Sequence, residues 1–179
     1  MATISTKQQL CDLYNAANPT LPHPLTVNDF SAGSRSSKTP EGESLANFIL
    51  NISAKAESQY FTGDISLVYR RLPVGFTGET IDGNHSDWAE DSAVLTQLNA
   101  DLQRQYPIDE LGPDDSGENG SFSISRAEGE NAQTLDITIT IRNHMKFEDA
   151  VIVYSIYEAV VKTDLSTTNG ELDGFGVPN

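Results

Sequence analysis

Residues 134–142 read TLDITITIR, and apolar and polar side chains alternate through the whole run. A period of two is the period of a pleated strand, whose side chains point alternately to opposite faces; a helix repeats every 3.6 residues. Threonine and isoleucine, both β-branched, favour the same conformation. The stretch therefore predicts a half-buried strand, with its isoleucines turned toward a core and Asp136, Thr138, Thr140 and Arg142 turned away from it. The rest of the chain must cover the first face, and water or a neighbour must meet the second.

Outward from this strand, the patterns repeat. SFSIS at 121–125 precedes it as a further strand. LANFILNIS (45–53) sets Phe48, Leu50 and Ile52 on one face, and DISLVYRRL (64–72) does the same for Ile65, Leu67 and Tyr69, so the two form a natural hairpin. LTVNDF (25–30) fits a short strand at a sheet edge. Residues 148–162, EDAVIVYSIYEAVVK, fit a strand buried on both faces, favoured by their β-branched and aromatic content, although the tail YEAVVK also permits a helix. Tyr157 is expected in the core.

Two segments carry helical spacing. STKQQLCDLYNAA (5–17) offers Ser5 or Thr6 as a cap and Leu10, Leu13, Tyr14 and Ala17 as a stripe, with Asn18-Pro19 ending it. DSAVLTQLNADLQRQYP (91–107) offers Asp91 or Ser92 as a cap, Leu95, Leu98 and Leu102 as a stripe, and Pro107 as the stop. Residues 31–44, 73–91 and 112–120 are rich in Gly, Ser, Pro and acidic residues and read as long loops. Strands do not alternate with helices as a parallel α/β sheet requires. The expected fold is α+β, a mostly antiparallel sheet or sandwich with an N-terminal and a mid-chain helix. One domain is expected over 1–179, with a helical arm at about 1–20 and an extended tail at about 165–179.

Composition bounds the function. Eleven Lys+Arg against twenty-six Asp+Glu give a net charge of −15, a field that repels phosphates and disfavours nucleic acid and anionic membranes as partners. Cys11 is the lone cysteine, so no internal disulfide is available, which fits a reducing cytoplasm. MATISTKQQL has neither the basic nor the apolar region of a signal peptide, and no run approaches the roughly 18 apolar residues of a membrane helix. A soluble protein made in a cytoplasm is the expectation.

No pattern of catalytic chemistry stands out. His23, His85 and His144 are far apart and belong to no zinc spacing. His85 lies beside Asp82, Asp87, Glu90 and Asp91, where folding could join one imidazole to two carboxylates, as a small hydrolase would need; a solvated surface loop is the plainer reading. His144 fits a tight connection between strands. Asp114, Asp115 and Glu118 lack the alternation of a calcium loop and read as an acidic turn. Nucleophile elbows, phosphate loops and dinucleotide fingerprints are absent. No metal or cofactor is expected, nor any catalytic residue. Aromatic and apolar side chains remain as interface candidates: Trp88, Phe76, Phe175, Leu10, Leu13 and Tyr14. An exposed Trp88 would alternatively serve a glycan- or host-surface-binding module.

The N-terminal stretch KQQLCDLYNAANPTLPHPLTVNDFSAG (7–33), the phrases YRRLP and GFTGE, and the ending YSIYEAVVKTDLSTTNGELDGF resemble small virion structural proteins of large tailed bacteriophages. That likeness covers about a third of the chain, in packing and turn residues. It implies a structural role in capsid decoration, neck or collar, tail or baseplate. It further implies partners among other virion proteins and copies of the chain itself, synthesis in the host cytoplasm, and no enzymatic activity.

Overall fold

The computed structural model describes residues 4–106, 111, 120–160, 162 and 164–169. In chain order its elements are α1 (Thr6–Ala17), β1 (Phe30–Ser37), β2 (Phe48–Ala54), β3 (Asp64–Tyr69), β4 (Thr80–Asp82), α2 (Asp91–Gln105), β5 (Ser121–Glu128), β6 (Thr134–Arg142) and β7 (Ala150–Tyr157). Short 3₁₀ turns occupy His85–Trp88 and Leu165–Thr167. The α+β class expected from the sequence is the one observed.

The strands form two sheets, a three-stranded one in the order β1-β2-β3 and a four-stranded one in the order β4-β7-β6-β5. The alternating run 134–142 is β6, paired antiparallel to β5 and β7, with Ile137, Ile139 and Ile141 fully buried. Those isoleucines meet Ile124, Ile152, Tyr154 and Phe122 on the same face, where Val94, Leu98 and Leu102 of α2 cover them. The other core lies under the first sheet, where Leu10 and Cys11 of α1 pack with Phe30, Phe48, Leu50 and Ile52. Each sheet is thus covered by one helix on one face.

Several sequence expectations change. LTVNDF is not a strand: Asp29 closes a turn there, its N–H donating to Thr26 O at 3.1 Å and its carboxylate accepting from Thr26 N and Oγ1. The strand begins at Phe30 and runs into the serine-rich stretch read as a loop, because β2 offers an antiparallel partner along its length. β4, within the glycine-rich 73–91, joins β7 in parallel. That contact depends on Gly78, held at φ +99°, where a Cβ would stand 1.9 Å from Val153 O. β7 is buried on one face only: Ile152, Tyr154 and Ile156 point inward, while Val151 and Tyr157, expected in the core, are exposed on the other side. The period of two leaves Tyr157 no other choice. At α2, Glu90 and not Asp91 or Ser92 occupies the N-cap position. Pro107 and the acidic turn at Asp114, Asp115 and Glu118 lie outside the described residues.

The two halves meet at the β6–β7 connection. Tyr69 Oη donates to Met145 O at 2.9 Å, Asn47 Nδ2 to Glu148 at 2.5 Å, and Arg71 Nη1 to Asp149 at 3.2 Å. Met145 packs in the first core and Phe147 in the second. His144 shapes this turn, as its position between strands suggested: buried, it accepts the N–H groups of Lys146 and Phe147 at Nδ1, both at 3.1 Å.

Candidate functional site

His85 was the one histidine with acidic neighbours in sequence, and the fold gives it a different partner. Its Nε2 lies 3.1 Å from Gln133 O and 3.2 Å from Ile156 O. Both are acceptors, so Nε2 carries the proton. Its backbone N–H donates to Glu158 Oε2 at 3.0 Å, and Nδ1 stands 3.5 Å from the same oxygen. Asp87 is engaged by Asn84, and Asp91 by Arg126 at 2.8 Å. Among the described residues no ion pair joins His85 to Asp82, Asp87, Glu90 or Asp91. The ring therefore ties the ends of β6 and β7 to the turn after β4. His23 instead stacks on Tyr60, with ring centroids 3.7 Å apart.

The most perturbed titratable groups sit in the cores as structural donors. Burial pushes the Tyr154 hydroxyl far up, and its hydrogen bond to Asp101 at 2.5 Å adds to the effect. Asp101 is also held by Arg104 at 3.0 Å. Burial likewise raises Tyr69, against the opposing charges of Arg35 and Arg71. Among the described residues no group of three His, Cys, Asp or Glu side chains is placed to hold a metal ion, and no helix is long and apolar enough to cross a membrane.

The interface candidates divide. Leu10 is only 7% exposed and belongs to the first core, so it is not available as an anchor; Leu13 is 64% exposed and is. The helix is rotated this way because Asn15 of α1 bonds both the N–H and the C=O of Leu25, turning Leu10 and Cys11 inward. Tyr14 is half-buried against the first core, and Phe76 and Trp88 are half-buried against the second. Trp88 lies beside Tyr154, ring centroids 6.4 Å apart, which leaves a stacking sugar only part of its ring. Phe175 lies outside the described residues.

Among the described residues, each sheet keeps one face that no helix covers. On the second sheet the open face presents Ser121, Ser123 and Ser125 of β5, Thr138, Thr140 and Arg142 of β6, and Val151, Val153 and Tyr157 of β7. Asp136 on that face is tied to Ser155 at 2.6 Å. On the first sheet a row of hydrogen bonds runs from Ser66 Oγ to Asn51 Oδ1 at 2.5 Å and from Asn51 Nδ2 to Ser34 Oγ at 2.6 Å. These side chains line a trench of about 440 Å³ with Gly33, Ser53, Asp64 and Ile65. In a chain of net charge −15, both open faces are built mainly from hydroxyl, amide and aliphatic groups. Such faces can be dehydrated against another protein surface without stranding many charges. Sequence patterning located the face of β6; the first sheet's polar row escaped it because β1 had read as a loop.

No protein-family model matches this chain, and neither a curated protein nor a solved structure matches it significantly.

Proposed function

We propose that this protein is a structural component of a tailed-phage particle, working by contact with copies of itself and with other virion proteins in a symmetric assembly. The observation that carries the reading is the pair of sheets, each covered by a helix on one face and, among the described residues, open on the other, with few charges on the open faces. The resemblance of about a third of the chain, in three separate pieces, to virion structural proteins supplies the setting. Stiff sheets hold such surfaces in fixed orientation, and association then costs little conformational entropy. Neck, tail, baseplate and capsid decoration all suit a small acidic unit of this kind.

Mass spectrometry of purified particles from the phage that encodes the chain tests the reading, together with pull-down of its genomic neighbours. The chain is expected at a fixed stoichiometry in the particle. Its absence from intact particles, or a turnover activity in the purified protein, overturns the assignment.

A further inference from the structure

We propose that the uncovered edge of β3 pairs with the same edge of a second copy, antiparallel about a two-fold axis, joining two three-stranded sheets into one of six strands. The inference does not depend on the virion reading.

Among the described residues the sheet order β1-β2-β3 leaves Asp64–Tyr69 with a neighbour on one side only, the outer side being taken up just beyond the strand, where Leu72 bridges to Phe147. The N–H of Ala54 donates to Gly63 O at 2.9 Å, which sets the alternation of the β2–β3 ladder. Ile65, Leu67 and Tyr69 therefore bond to β2, and the backbone groups of Asp64, Ser66 and Val68 point away from the sheet. Such a row is a template for another strand.

Four strands sit at sheet edges, and β3 is the one equipped for pairing. β1 is irregular between Ala32 and Arg35, a device that blunts an edge. β4 has three residues. β5 exposes no large apolar side chain, whereas β3 exposes Ile65 at 46% and Val68 at 50%, one on each face. Asp64–Tyr69 contains no Lys, Arg or Pro, the residues that usually protect an edge.

Charge chooses the register. A two-fold axis normal to the sheet keeps faces matched, so residues of equal parity meet. With Leu67 opposite Leu67 of the second copy, Ile65 meets Tyr69, Ser66 meets Val68, and Asp64 meets Arg70, twice over. Asp64 and Arg70 are both exposed, and neither has an ion-pair partner among the described residues. The neighbouring register, centred on Ser66, sets Asp64 against Val68 and leaves both charges unmatched. Each copy carries −15, yet about 8 Å of screening at physiological salt mutes distant repulsion and spares the close Asp64–Arg70 pairs.

Sedimentation velocity on the full chain at about 0.15 M salt reads the outcome. The native protein is expected at twice its 19.5 kDa in the micromolar range. Asp64→Arg and Arg70→Asp each set like charges opposite one another and should weaken the dimer roughly tenfold. The double variant Asp64→Arg/Arg70→Asp should recover most of that loss. A second variant, Ser66→Cys/Val68→Cys, should form a reducible covalent dimer, because directly paired residues lie at disulfide distance. A monomer at high micromolar concentration, a dimer indifferent to either charge reversal, or a double variant no better than the single ones overturns the proposal.

Discussion

At the scale of the residue, Cys11 shows how burial governs chemistry. Its side chain is wholly buried in the first core, and its thiol is pushed up to about 11, chiefly by burial and then by the charge of Asp12. A thiol held above its ordinary 9.0 binds its proton more tightly in the folded than in the unfolded chain. The stabilising contribution is therefore fully present below pH 9.0 and is lost as pH rises toward 11. Urea midpoints followed across that window should fall more steeply for the native protein than for Cys11→Ala. At neutral pH the thiol should resist an aromatic disulfide reagent until the chain unfolds. Rapid labelling of the native state would place Cys11 at the surface and contradict its packing.

At the scale of the element, α1 separates two leucines that its sequence pattern treats alike. Leu10 packs against Phe30, Phe48 and Leu50, and Leu13 lies in water. Leu10→Ala should cost about 2–4 kcal/mol of stability in urea unfolding, because it leaves a cavity beneath the first sheet. Leu13→Ala should lie within about 0.5 kcal/mol of the native protein. Equal effects would mean that α1 does not sit on the sheet as described. The same comparison serves the assembly reading, since Leu13 is free to touch a neighbour and Leu10 is not.

At the scale of the whole molecule, two cores are coupled through one connection. Arg71 is 6% exposed, lies over the Phe48 ring at 4.1 Å, and pairs with Asp149 across the junction. Trp88, the lone tryptophan, belongs to the second core and reports on it alone. Tryptophan fluorescence and far-ultraviolet circular dichroism should therefore give coincident urea transitions in the native protein. In Arg71→Ala the two should separate, with the first sheet melting earlier. Coincident curves in the variant would show that the cores are joined by more than this pairing.

Much of the fold was legible in local pattern. The period of two in TLDITITIR sufficed to orient β6, and the helical spacing around Leu98 sufficed to turn α2 onto a core, because each pattern needs only near neighbours along the chain. β1 was not legible: FSAGSRSS has weak strand preference and pairs because β2 lies beside it. The partner of His85 was hidden for the same reason, Glu158 being 73 residues away, whereas Asp87 and Asp91, close to it in sequence, bind elsewhere. Alternation says that a strand has two faces; it says nothing of which strand ends a sheet. The sequence by itself determined the class of fold, the chain's charge and the inward side of its strands. Only the tertiary structure decided which faces and which edge stay open, since strand order and helix placement are set by contacts between distant segments.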